Sequence, residues 1–112
     1  MADLKGMAKL VMGAVAPKLA EVTDEVLFAD IWERSELPPR ERSLITVASL
    51  ITQSRPEQLA FHLERALGNG VTKAELAEVA THLAFYAGWP AAASAVALIG
   101  KLEETCHSHA SR

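Results

Sequence analysis

The run Asn69-Gly70-Val71-Thr72 restricts the fold more than any other part of this sequence. Asparagine and glycine both tolerate the left-handed backbone that ends a helix, so the pair stops whatever helix precedes it. Two residues later Thr72 can cap a new helix, and Glu75, three positions on, closes a capping box. Val71 and Leu76 stand where a hydrophobic staple fixes the entry angle. Two helices joined by so short a hinge fold back as antiparallel neighbours. The upstream helix starts at Pro56, whose missing N–H costs nothing in a first turn. Its Leu59, Ala60, Leu63, Ala66 and Leu67 recur every three or four residues and make one apolar face. The downstream helix runs to the break at Gly88-Trp89-Pro90.

The rest of the chain follows the same helical period. Leu4–Val15 is weakly helical, interrupted by Gly6 and Gly13, and residues 1–17 form an N-terminal arm. Pro17–Glu33 reads as one helix or two short ones, with Val22, Leu27, Phe28, Ile31 and Trp32 as its apolar side. Thr23-Asp24-Glu25 can cap a fresh start inside it. After Leu37-Pro38-Pro39, Arg40–Thr52 is the most apolar helix. Its Leu44, Ile45, Val47, Ala48, Leu50 and Ile51 cover more than half the circumference, as in a helix that is central or covered by another subunit. Arg55-Pro56 ends that segment. Pro90 opens a last helix whose Ala91, Ala92, Ala93, Ala95 and Ala97 let a neighbour approach closely. The chain is polar from Lys101, with a tail from about residue 104. No segment alternates with period two. The expectation is an all-α fold of about five to six antiparallel-packed helices in one domain spanning 1–112.

Composition narrows the function classes. A chain of 112 residues buries one core, not two. A net charge of -3 argues against nucleic acid as a bulk electrostatic partner. One cysteine excludes an internal disulfide framework and suits a reducing cytoplasm. No apolar run reaches the roughly 18 residues of a membrane span. Leu10–Ala16 superficially resembles the apolar part of a signal peptide, but it is short and Asp3 sits where basic residues belong. Two tryptophans, one tyrosine and three phenylalanines, together with the apolar Arg40–Thr52 helix, exceed what so small a chain covers comfortably. Burying a few hundred Å² more at roughly 25 cal/mol per Å² drives self-association, so a homo-oligomer is expected.

The residues that carry chemistry are few. His62 lies at the edge of its helix's apolar stripe, where an imidazole can titrate near neutrality and move a proton. The competing reading is a core-edge histidine satisfied by a carbonyl. His82 shares a face with Tyr86 and Trp89 at four- and seven-residue spacing, either a ligand-facing strip or ordinary core. Arg40 and Arg42 open a helix against their dipole preference, which points to a carboxylate on this chain, a neighbour or a substrate. Cys106-His107-Ser108-His109 looks like a metal cluster but has no second ligand group at zinc-finger spacing, so no metal is expected. Nothing matches a P-loop, a dinucleotide fingerprint, a nucleophile elbow or HExxH.

LPPRERSLITVASLI followed by RPEQLAFHLERALGNGVTKAELAEVATHLAFYAGWPAA resembles the carboxymuconolactone decarboxylase family over about Leu27 to Leu102. The resemblance implies the helical fold of the AhpD-like alkyl hydroperoxidases and a ring-like trimer or hexamer. It also implies where the two branches of the superfamily part. The hydroperoxidase branch carries a Cys-x-x-Cys pair with a histidine four residues later. Here that histidine is His62, while the cysteine positions hold Arg55 and Gln58, and the position of the branch's glutamate base holds Ser43. Without a low-pKa thiolate there is no nucleophile for a peroxide, so thiol peroxidase activity is not expected.

The decarboxylase branch takes 4-carboxymuconolactone to 3-oxoadipate enol-lactone in aromatic catabolism. Loss of CO₂ from such a lactone leaves a carbanion delocalised into the lactone carbonyl. No cofactor is needed, because the substrate is its own electron sink. By this resemblance His62 is the proton donor, with His82 a second acid or oxyanion donor. Arg40 or Arg42 holds a carboxylate of a small organic acid, and Tyr86 and Trp89 wall the pocket. The alternatives are another proton-transfer enzyme on the same scaffold, or a non-redox oligomeric binding or accessory protein.

Overall fold

The computed structural model describes residues 6–103. Six α-helices appear in the order α1 (Met7–Met12), α2 (Pro17–Val22), α3 (Pro39–Gln53), α4 (Pro56–Gly68), α5 (Lys73–Ala87) and α6 (Trp89–Ile99). Between α2 and α3 lie a π-helical stretch, Thr23–Phe28, and a 3₁₀ turn, Ile31–Glu33. The described residues contain no strand, so the all-α expectation holds. They divide into two compact units, one up to Pro39 and one from Arg40 onward.

In the first unit the expected fresh start at Thr23 does not occur. The helix continues past Val22 with a widened turn, and the Thr23 hydroxyl donates back to the Leu19 carbonyl at 2.7 Å. Asp24 does act as a cap, but for a different helix. Its carboxylate accepts from the Ala8 and Lys9 amides at 3.1 and 3.2 Å, and so satisfies first-turn donors of α1. Asp24 is buried by this role. Trp32 is buried too and stacks on Phe28, with ring centroids 6.3 Å apart.

In the second unit the sequence signals are realised almost residue for residue. The buried side of α3 is Ser43, Val47 and Ile51, four residues apart. The apolar wrap is wider than the burial, because Ile45 remains 57% exposed. The Ser43 hydroxyl accepts from Asn69 Nδ2 at 3.0 Å, which ties α3 to the hinge. α4 ends in a Schellman motif: Val71 N–H donates to Ala66 O and Gly70 N–H to Leu67 O, with Gly70 at φ 97°. α5 opens with the capping box, the Glu75 amide donating to Thr72 Oγ1 and the Thr72 amide to Glu75 Oε1. Leu59, Leu63, Leu67, Val71 and Leu76 meet Val47, Ile51 and Ile99 in one core. α5 packs along α6, and four of the six buried residues on these two helices are alanine: Ala80 and Ala84 beside Leu76 on α5, Ala92 and Ala95 beside Ile99 on α6. Lys73 Nζ closes the far end of α6 by donating to the Leu102 carbonyl at 3.3 Å.

Candidate functional site

α3 and α5 leave a groove of about 490 Å³ between them, within the size range of small-molecule clefts. Leu44, Ile45, Ala48, Val79 and Leu83 give it apolar walls, and Arg40, Glu75, Glu78 and His82 supply the polar groups. Two expected site residues, Arg40 and His82, are therefore brought together on one surface. The Arg40 guanidinium already pairs with Glu75 Oε2 and reaches Glu41 at 3.6 Å. Of the partners the dipole argument allowed for Arg40, the structure supplies a carboxylate on this chain. Glu75 is held below its ordinary carboxylate pKa, first by the Thr72 amide and then by Arg40.

The other expected residues lie apart from this groove. Arg42 is half-buried on α3 and does not line it. His82 stacks on Tyr86 with centroids 5.0 Å apart, and both are exposed. Trp89 leaves the strip, because Gly88 at φ 102° separates α5 from α6 and the helical register does not carry across. Trp89 instead meets Phe85 edge-on at 5.2 Å. Tyr86 and Trp89 do not wall the groove within one chain; they stand 76% and 63% exposed.

His62 is not on the groove lining either. It sits half-buried on α4, with Phe61 edge-on to its ring at 5.0 Å and its Nδ1 out of contact with solvent. Burial, reinforced by the positive charge of Arg65, lowers its pKa from 6.5 to about 4. The imidazole is neutral at neutral pH. Arg65 is the residue that sequence reasoning passed over. It is only 7% exposed on α4, three residues after His62 and off the stripe formed by Leu59, Leu63, Ala66 and Leu67, so the one local signal was its i, i+3 spacing to His62.

Among the described residues no group of histidine, cysteine or acidic side chains is arranged to hold a metal ion. Cys106, His107 and His109 lie outside the described residues. Among the described residues no helix is long and apolar enough to cross a membrane.

Among the described residues the fold is all-helical, with His62 on the first helix of the hinge and no cysteine, which places the chain in the class of small helical-domain proteins. Residues 17–100 match the model of the carboxymuconolactone decarboxylase family, and the chain belongs to that family. It is similar to the 4-carboxymuconolactone decarboxylase of Acinetobacter baylyi, at 42% identity over 69 residues, which are 62% of this chain and 52% of that protein. It is also similar to a nitrosuccinic acid decarboxylase of Metarhizium robertsii, at 33% identity over 72% of this chain and 57% of the relative. An uncharacterised 15.0 kDa protein of Paracoccus denitrificans is 31% identical over 80% of this chain and 64% of its own length. The chain thus spans between half and two thirds of the curated relatives it matches.

Proposed function

We propose that this chain is a cofactor-free carboxy-lyase acting on a small carboxylated lactone or related organic acid, with His62 returning the proton to carbon. The observation that supports it is the family match over residues 17–100 together with two relatives named as decarboxylases. An anionic substrate arriving at His62 raises the imidazole pKa and draws one proton from solvent. The bond from the carboxylate to the ring carbon then breaks. CO₂ leaves, and the electron pair delocalises into the lactone carbonyl, where Arg65 stabilises the charge. The negative charge persists through this step, so the imidazolium keeps its proton until the carbanion takes it. The ring then returns to its neutral resting state. Both relatives with assigned names are decarboxylases, which supports the same reaction class here.

Within one chain Arg40 and His82 line the groove while His62 lies off it, so in this reading His82, as a second acid or oxyanion donor, and Arg40 or Arg42, orienting a carboxylate, meet His62 from a neighbouring copy. Phe85, Tyr86 and Trp89, exposed in one chain, become covered in a homo-oligomer, a trimer or hexamer, where Tyr86 and Trp89 wall a neighbour's site. The setting is the cytoplasm. The deciding experiment is turnover of 4-carboxymuconolactone, followed by CO₂ release, for the wild type and His62→Ala. A loss on the order of 10²–10⁴ in kcat is expected for a missing proton donor. Unchanged turnover in the variant removes the assignment.

One observation favours a second reading. Arg40, the expected carboxylate clamp, is already paired with Glu75. A non-redox oligomeric protein that binds acids without transforming them fits that engaged arginine. Saturable binding of the lactone with no CO₂ release selects it.

A further inference from the structure

A second cavity, separate from the groove and from His62, lies where the end of α3, the start of α4 and the middle of α6 meet. Its walls are apolar, including Leu50, Leu59 and Leu98, and Ala91 is too small to fill it. At its mouth stand Ser54, Arg55 and Ser94. Among the described residues Arg55 carries the only charge on this lining, and no carboxylate accompanies it there.

Ser54 adds an independent observation. The end of α3 is a Schellman motif like the end of α4: Arg55 N–H donates to Leu50 O and Ser54 N–H to Ile51 O, both at 3.1 Å. The residue in the left-handed position is normally glycine, and at the α4 end it is Gly70. At the α3 end it is Ser54, at φ 56°, the one non-glycine residue with positive φ among the described residues. A side chain in this conformation carries strain that glycine avoids. The hydroxyl it brings is placed on the cavity.

We propose that this cavity binds a short aliphatic monocarboxylate, the carboxylate on Arg55 with Ser54 and Ser94 as hydroxyl donors, and the chain between the leucines. A volume of about 180 Å³ is below that of clefts for drug-sized ligands, so the occupant is small. One cation among apolar walls selects one negative charge and rejects an ammonium.

The test uses butanoate as the probe, with butylammonium as the control, followed by amide chemical shifts of the whole chain. Butanoate produces saturable shifts confined to the residues around Ser54, Arg55 and Ser94, and butylammonium does not. Arg55→Gln weakens butanoate about tenfold or more, the loss of a charge-assisted contact. Ser54→Gly weakens it severalfold while the melting temperature holds or rises, an outcome that a purely structural serine does not give. Lactone turnover and butanoate shifts are read separately, so failure of the lyase reading leaves this site standing. Absent or scattered shifts, equal shifts with butylammonium, or undiminished binding in Arg55→Gln each overturn the proposal.

Discussion

Arg40 and Glu75, thirty-five residues apart in sequence, join the first turn of α3 to the first turn of α5 through one ion pair. Glu75 serves two ends at once: one carboxylate oxygen takes the Thr72 amide, and the other takes the Arg40 guanidinium. The polar rim of the groove is therefore built on a helix cap. A change to the cap is felt at the groove, and a change at the groove is felt by the cap.

Thr72→Ala removes the hydroxyl that accepts from Glu75 and is expected to cost about 1 kcal/mol, the usual loss for an N-cap. For a chain of this size that lowers the melting temperature by roughly 4–8 °C. Calorimetry checks it. A variant as stable as the wild type shows that the box contributes nothing.

The coupling between Arg40 and Glu75 is expected to be under about 1 kcal/mol, because the side chains are 35% and 44% exposed. A double-mutant cycle with Arg40→Gln and Glu75→Gln measures it by urea unfolding. If the groove takes an acid, Arg40→Gln weakens that acid much more than it weakens the fold.

Stability should fall as pH drops from about 6.5 to about 4. In this window the unfolded His62 binds a proton and the folded one resists it, so the unfolded state is favoured as acid is added. Above 6.5 the contribution is fully present. Comparing urea midpoints across this range for wild type and His62→Gln isolates the effect. Parallel curves for the two proteins remove it.

Binding of an anionic substrate analogue at pH 7 should take up a fraction of a proton, up to about one half, if it seats beside His62 and raises the imidazole pKa by the roughly 1–3 units that one opposite charge supplies. Titration calorimetry in buffers of different ionisation enthalpy reads that number directly. Zero uptake places the anion elsewhere.

Replacing Trp89 or Phe85, 63% and 73% exposed in one chain, with glutamate should shift the assembly toward smaller species. Light scattering after size exclusion gives the mass. A wild type that is monomeric at all concentrations ends the argument for a shared site.

How much of this was legible in the sequence depends on how far each partner lies along the chain. The Thr72–Glu75 box and the Gly70 stop were legible because both are completed within a few residues. The role of Asp24 was not, because the amides it caps belong to α1, sixteen and fifteen residues earlier. The strip His82–Tyr86–Trp89 was half legible. Four-residue spacing holds inside α5, whereas seven-residue spacing crosses Gly88, where the helix ends. Arg65 escaped because an arginine off the apolar stripe is expected to extend to water; its spacing to His62 was local, but its burial depends on neighbours distant in sequence.

Where α5 packs along α6, most of what these helices bury is alanine: Ala80, Ala84, Ala92 and Ala95, with Leu76 and Ile99 the larger exceptions. A single added methylene on that seam pushes two backbones apart, so the spine has almost no freedom to vary. Diversification is left to the outer faces, where the groove rim and the aromatic side chains stand. A scaffold built this way can exchange one substrate for another while its frame stays unchanged.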